Sequence, residues 1–455
     1  MVLVCTLGLA SVGHAQMGGG GGGVGGGIGG GGGGMGGRIP GAAYGGATDP
    51  SNVQIRGGFR VIPAIRVAER YDSNVFFQAK VPGIDRSDYV TSVAPEIRGL
   101  YVGSEMTVNA TVGANAEYYV KNTNFNYVGT NAGLSLDLSP MLNRLWNGMT
   151  FQVYDSFRYT PQPPSFLVGN QAGDTSNPFL RGQQVGRVSI TSNVVGATVS
   201  APLTQTLSLT GGYSYGFLTF GTSKVQQSGA LLSSTYQTFT VGMSKKLSPQ
   251  DSVGLNYFDA EHRYDQGGSF SSRGGFISWA HLFSPSVTLD SSAGAQVLQG
   301  QSSGSGAQGS QGQSSGLSNV PTTVTPRGRA LLTWKDSTTS LTMAYGLEIS
   351  PSIQSQAQPL LVDIVTFSVT QVTPIPELVG VASVAYGRGD EIGSKSVNAV
   401  SYTSYVATGG VLYKFTAQTF LNLTYQYGNY DNQFGATNNS FDRHVVSISL
   451  AQAFY

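Results

Sequence analysis

The sequence predicts an all-β protein: a transmembrane antiparallel up-and-down β-barrel of about eighteen strands, with sixteen as the alternative count. Three observations predict it. Apolar and polar residues alternate in segment after segment from residue 57 to the C-terminus. Only 11% of the 455 residues are charged, against about a quarter in an ordinary soluble domain. The connections between alternating segments fall into a short class and a long class, and the two classes take turns along the chain.

The N-terminal region precedes the barrel. Met1-Val2-Leu3-Val4-Cys5-Thr6-Leu7-Gly8-Leu9-Ala10 is a short apolar run followed by Gly13-His14-Ala15, a small-x-small site for cleavage before Gln16. Residues 1–15 therefore read as a signal peptide; the basic residues that usually open such a segment are missing, as expected if the true start codon lies upstream. Cys5 is the single cysteine and leaves with the signal, so neither disulfides nor thiolate chemistry are expected in the mature chain. Residues 16–56 read as a periplasmic tether. Within them, residues 17–37 are almost entirely glycine, which buries no side chain and loses the most backbone freedom on ordering. A plain low-complexity spacer is the preferred reading over a partner-binding tail.

The barrel takes residues 57–455. Successive strand side chains face opposite sides of a sheet, so each alternating segment has one apolar and one polar face. In the first, Phe59, Val61, Ile65 and Val67 share a face and Arg60 and Arg66 share the other. Pro63 cannot donate to a ladder and is expected to weaken this strand or mark a bulge near the closure seam. Leu207, Leu209, Tyr213, Tyr215 and Phe217 alternate with Ser208, Thr210, Gly212, Ser214 and Gly216. Segments around Val108–Tyr118, Leu341–Ile349 and Leu421–Tyr427 repeat the pattern, and their charges fall on the polar face. Two stretches, Val188–Val199 and Val400–Phe415, change parity midway, which predicts bulges. No apolar run reaches the roughly 18 residues that a transmembrane helix needs.

Short, proline-marked connections occur at Leu138-Ser139-Pro140, Ser200-Ala201-Pro202, Leu247-Ser248-Pro249, Phe283-Ser284-Pro285 and Pro374-Ile375-Pro376. Long polar ones are expected over residues 70–87, 161–186, 265–272, 300–322, 389–399 and 430–440. Outer-membrane barrels show this asymmetry, with short periplasmic turns and longer extracellular loops, and an even strand number leaves both chain ends in the periplasm. Trp146, Trp279 and Trp334, with Tyr101, Tyr159, Tyr257, Phe283, Tyr413 and Phe415, suit aromatic girdles at the lipid boundary. The last strand ends in Phe454-Tyr455, an aromatic terminus of the kind read by barrel-assembly machinery. Val446, Ile448 and Leu450 share parity with Phe454 rather than Tyr455, so either Phe454 plays that part or the strand is bulged.

Catalytic, cofactor and metal sites are not expected. The mature chain carries only His262, His281 and His444, without metal-ligand spacing. The stretch Asp431–Asp442 has the length of a calcium loop, but Gly435 and Ala436 occupy the wrong positions for one. A net charge of +1 gives no reason to expect nucleic acid as a partner. What remains is the lumen. Arg60, Arg66, Arg98, Arg327 and Arg329, with Glu96, Glu117, Asp137, Asp290 and Glu348, fall on or near polar faces. Inward charge of this kind sets selectivity in pores, or the pairs neutralise one another and brace the wall, which is the preferred reading. At about eighteen strands side chains cannot fill the interior, so a watery channel is expected unless a loop plugs it; residues 161–186 and 300–322 are the plug candidates.

Ala68-Glu69-Arg70-Tyr71-Asp72-Ser73-Asn74-Val75-Phe76-Phe77 resembles the opening of a family of bacterial outer-membrane β-barrel porins, which begin the barrel with a Tyr-Asp-Ser/Asn-Asn-apolar element. Leu138-Ser139-Pro140 and Leu247-Ser248-Pro249 are similar to the turns of that family. The resemblance covers residue 57 to the end. It implies an outer-membrane location and a link to exopolysaccharide or capsule systems, including those tied to PEP-CTERM sorting, and brings no catalytic residues. The expected function is a water-filled conduit for small polar solutes or an exported polysaccharide. The alternatives are a non-conducting scaffold or partner of a polysaccharide-export system, and a secreted soluble all-β adhesin. Expected partners are outer-membrane lipid, barrel-assembly machinery and polysaccharide-export components.

Overall fold

The computed structural model describes residues 58–80, 82–160, 188–223, 231–265, 268–301, 322–351, 359–392, 400–434 and 437–454. The proposed signal, the glycine-rich tether and almost all of the two plug candidates lie outside these residues. The described chain is eighteen strands: β1 (Gly58–Asp72), β2 (Asp88–Val102), β3 (Thr107–Tyr119), β4 (Tyr127–Asp137), β5 (Thr150–Thr160), β6 (Val188–Pro202), β7 (Leu207–Ser223), β8 (Ser234–Lys246), β9 (Asp251–Tyr264), β10 (Ser269–Ser284), β11 (Val287–Gln301), β12 (Thr323–Lys335), β13 (Thr339–Ser350), β14 (Leu360–Val372), β15 (Leu378–Glu391), β16 (Val400–Lys414), β17 (Thr419–Phe434) and β18 (Thr437–Ala453). A single helical turn, α1 (Ser139–Leu142), opens on the Ser-Pro pair between β4 and β5. Each strand pairs antiparallel with its sequence neighbours, and β1 also pairs with β18, which closes the ring.

Alternation places the faces as the sequence implies. Leu209 is 43% exposed on the outside while its neighbour Ser208 is 3% exposed on the inside, bonded to Ser244 on β8 at 3.0 Å. Trp279, Phe283, Trp334 and Tyr413 face outward near the short-turn end, and Trp146 donates its ring N–H to the Pro202 carbonyl at 2.8 Å. Tyr257 sits mid-strand, opposite Gly275. Phe454 points outward with Val446, Ile448 and Leu450, and its amide donates to the Pro63 carbonyl at 2.9 Å; Tyr455 lies outside the described residues.

Several loop and bulge expectations are corrected. Residues 70–72 belong to β1, 269–272 to β10 and 389–391 to β15, and β17 and β18 run to Phe434 and from Thr437, so 430–440 is a hairpin and not a long loop. Pro63 marks no bulge: the β1–β2 register runs unbroken from Gly58 to Asp72. Its carbonyl faces β18 just past the last paired residue, so its missing N–H falls where the seam ladder ends. β16 is also regular along both neighbours, and β6 shifts register only at its extreme end, between Val188 and Ile190.

The parity changes have another cause. Along β14 the inward residues run Leu360, Val362, Ile364 and then Thr366, Ser368; along β16, Val400 and Tyr402 lead to Thr408 and Lys414. Apolar side chains turn outward at the short-turn end, where lipid is, and inward at the long-loop end. There the outer face is polar instead: Asp259, Glu261, Arg263, Arg273, Arg388 and Asp390 form exposed or half-exposed ion pairs. Except for β4 and β5, of 11 residues each, the strands run 12–17 residues and exceed the ~9–11 that cross a bilayer, so the long-loop end projects beyond it. One carboxylate departs from the pattern. Asp155, mid-strand on β5, faces outward between Val153 and Phe157 and opposite Leu134 and Val195.

Candidate functional site

The interior of the ring is the one large feature the fold creates, and its two ends differ. At the short-turn end the inward side chains Asn109, Gln152, Asp290 and Lys335 are exposed although they lie inside the barrel. Small inward apolar clusters, Val379 with Val381 and Ile62 with Ala64 and Ala453, interrupt this lining. At the long-loop end the inward residues are packed. Leu360, Val362, Ile364, Tyr402, Tyr430 and Phe441 form one cluster, Ile190, Leu218 and Tyr236 a second, and Tyr264, Phe270 and Leu298 a third. His262 stacks between Phe270 and Tyr236, with ring centroids at 4.5 and 5.8 Å. The expectation of a polar lining throughout therefore fails for this half. Its strand ends lie beyond the lipid, so the interior there is free to pack as an ordinary core.

All ten of these charges hold the inward parity of a polar face, but they do not form one ring. Arg98 donates to Glu96 two residues away on β2. Asp290 and Arg329 sit diagonally across the β11–β12 pair. Arg327 lies 4.1 Å from the ring centroid of Phe258 and also covers Phe276. Asp137 accepts from the Ser139 amide at 2.9 Å, two residues on in the β4–β5 turn at the short-turn mouth. Arg60 and Arg66 line β1, and Glu348 lines β13. Glu117 departs most from a water-facing role: its side chain is 1% exposed and takes both Arg70 guanidinium nitrogens, at 3.3 and 3.0 Å, and the Tyr119 hydroxyl at 2.7 Å.

Sequence reasoning missed two sets of residues. Arg70 and Asp72 read as loop in the sequence and nothing there singles out Arg443, yet all three are buried on the inner wall; Asp72 accepts from Arg443 Nε at 3.0 Å, and Arg70 Nε lies 4.0 Å from Asp72. The signal was present, since Arg70 and Asp72 continue the even-numbered inward row of Arg60 and Arg66. Lys246, Lys335 and Lys414 likewise hold inward parity at strand ends near the short-turn mouth. Neither these three nor Arg66 has an ion-pair partner among the described residues.

The start of the first loop, residues 73–79, is folded inward rather than outward. Val75 packs with Val90, Tyr119 and Phe125 on one side, and Phe77 joins the cluster of β14–β18 on the other. Asp88 anchors the neighbouring turn by accepting from the amides of Val120, Lys121 and Asn122 at 3.1, 2.9 and 2.8 Å. At the exposed surface of this loop Lys121 donates to Asp85 at 2.6 Å, and that bond brings the Asp85 carboxyl down to about 2.

A closed antiparallel barrel with an even strand number, an apolar outer band flanked by aromatic residues and its longest loops at one end is the wall of an outer-membrane protein. No family model and no curated protein matches the chain. Among solved structures the chain is similar to the outer membrane protein OpdK of Pseudomonas aeruginosa, at 11% identity and a TM-score of 0.45, over 87% of this chain and 100% of that one. It is similar to OccK2 (OpdF) of the same organism at 9% identity and a TM-score of 0.44, over 87% and 98%. Acinetobacter baumannii OccAB4 follows at 10% and 0.40, again over 87% and 98%.

Proposed function

We propose that the barrel is an outer-membrane conduit for small polar solutes, wide at the periplasmic mouth, narrowed toward the outside and favouring anions. The observation that carries this reading is the exposure of Asn109, Gln152, Asp290 and Lys335 inside a ring of eighteen strands, a size at which side chains leave interior space unfilled. The anion preference rests on Arg66, Lys246, Lys335 and Lys414, inward cations without ion-pair partners among the described residues, since inward charge selects permeating ions. Small solutes are favoured over an exported polysaccharide because no inward aromatic ring is exposed among the described residues, so a glycan finds no stacking surface. In the same reading residues 1–15 direct export and 16–56 tether the barrel on the periplasmic side, which the N-terminal sequence of the mature protein tests.

The function itself is tested by planar-bilayer recording of the refolded protein under a potassium chloride gradient. Stepwise conductance with a reversal potential toward chloride is expected, and the triple variant Lys246→Glu, Lys335→Glu, Lys414→Glu should move that potential toward potassium. A folded barrel that never conducts would contradict the conduit.

A further inference from the structure

The Tyr71–Phe77 stretch, singled out in the sequence by its resemblance to a family opening, takes no part in the conduit reading. We propose that this element is the closure latch of the barrel, fixing the register in which the last strand joins the first.

The seam is the weakest-specified junction in the ring. β1 pairs with β2 along its full length, Gly58–Asp72, but with β18 only over Ala64–Asp72. Its partners are 371 residues apart in the chain at Asp72 and Arg443, so no direct connection limits their alignment, as one does for each pair of consecutive strands. The latch supplies the missing constraint. Arg443 on β18 gives Asp72 two hydrogen bonds, Nε to Oδ1 at 3.0 Å and Nη2 to Oδ2 at 2.5 Å, between side chains only 4% and 2% exposed. The ladder then continues one residue beyond the strand: the Ser73 amide donates to the His444 carbonyl at 2.9 Å, and the His444 amide donates to Ser73 Oγ at 2.8 Å.

The chain next turns inward. The Asn74 amide donates to Asp72 Oδ1 at 3.0 Å and the Asn74 side chain donates to the Gln78 carbonyl at 2.9 Å. Phe77 adopts φ 56, a left-handed backbone that a bulky residue rarely takes. That conformation lays its ring 4.4 Å from the Arg443 guanidinium and among Tyr430 and Phe441. Asn439 of β18 closes the latch by accepting from the Ala79 amide at 2.8 Å. Every one of these cross-seam partners belongs to β17 or β18.

Backbone ladders are alike in any register, so specificity has to come from side chains. A buried ion pair adds little net stability, but removing one partner leaves an uncompensated charge. Asp72 stands opposite Val445, diagonal to Arg443; a slip of two residues that carries Arg443 away strands both charges, a slip of two the other way pulls Ser73 and Ala79 off His444 and Asn439, and a slip of one flips every side chain to the wrong face. The latch thereby penalises misclosure more than it strengthens the closed state.

The test uses full-length mature protein refolded in detergent, with closed barrel scored by its compact gel mobility before heating and by the temperature at which that mobility is lost. Asp72→Asn is expected to lose most of the closed form and to open at a lower temperature, and the exchange Asp72→Arg with Arg443→Asp to recover much of it. A disulfide across the seam, Ala68→Cys with Ser449→Cys at paired positions, should rescue Asp72→Asn. A disulfide between β9 and β10, Ala260→Cys with Ser272→Cys, should not. Equal rescue by both disulfides, rescue by neither, or unchanged closure in Asp72→Asn would overturn the proposal. None of these readouts depends on conductance, so a failed conduit reading leaves the latch standing, and the reverse.

Discussion

The two halves of the barrel interior carry opposite chemistry on the same strands. On β14, Thr366 and Ser368 face the lumen near the short turns, whereas Leu360, Val362 and Ile364 face it near the long loops. The outer wall is inverted in step: Phe367 and Val369 are outward at one end, and Asp363, bonded by the Tyr345 hydroxyl at 2.9 Å, is outward at the other. The difference teaches that solvent, not strand geometry, decides which face is apolar. Where lipid surrounds the ring, hydrocarbon goes out and water is left inside; where water surrounds it, the ring packs like a soluble core.

The largest expected effect sharpens the buried half. Arg70→Met leaves the Glu117 carboxylate buried and without its main partner, at a cost of about 3–5 kcal/mol, measured as the shift in urea-unfolding midpoint of the refolded barrel. Next comes the lipid band, where Leu209→Arg should cost about 2–4 kcal/mol. Asn109→Arg, inward and exposed in the open half, should be tolerated and change ion selectivity. Ser208 is a poor choice for that control, because it is 3% exposed and hydrogen-bonded to Ser244. Equal tolerance of Leu209→Arg and Asn109→Arg would dissolve the distinction between the faces.

Smaller effects follow. Asp155→Leu removes a mid-strand carboxylate set between Val153 and Phe157 on the outer wall, and should stabilise the barrel by about 1 kcal/mol in the same unfolding assay; destabilisation would mean that something other than lipid covers this face. The smallest effect is at the exposed Asp85–Lys121 contact. The folded Asp85 carboxyl is lowered to about 2, so its contribution is complete above the ordinary carboxylate value near 4 and is lost as pH falls through about 2. A carboxyl titration followed by NMR should show Asp85 still ionised at pH 3.5, and normal titration would remove the contact from the account.

Much of the fold was legible because period-two alternation is a local signal: the strand number, the closed ring and the facing of Leu209, Met343 and Leu423 follow from it. The inward parity of the candidate charges is read from the same local signal. What was not legible depended on distant partners. The apparent phase shifts in β6 and β16 look like bulges in sequence, since a swap of apolar residues from one face to the other mimics an inserted residue. Arg70 and Asp72 sat in a polar stretch that reads as loop until Glu117 and Arg443 are seen to bury them. No local pattern announces that the start of the first loop folds inward.

The contrast between the two halves is tested most directly by thiol accessibility. The mature chain has no native cysteine if Cys5 leaves with the signal, so single cysteines report cleanly. Asn109→Cys and Lys335→Cys should react rapidly with a charged, membrane-impermeant maleimide in the folded, membrane-inserted protein, and Phe270→Cys and Leu298→Cys should stay protected. Protection at Asn109 and Lys335, or equal labelling at all four positions, would contradict a water-filled periplasmic half beneath a packed outer one.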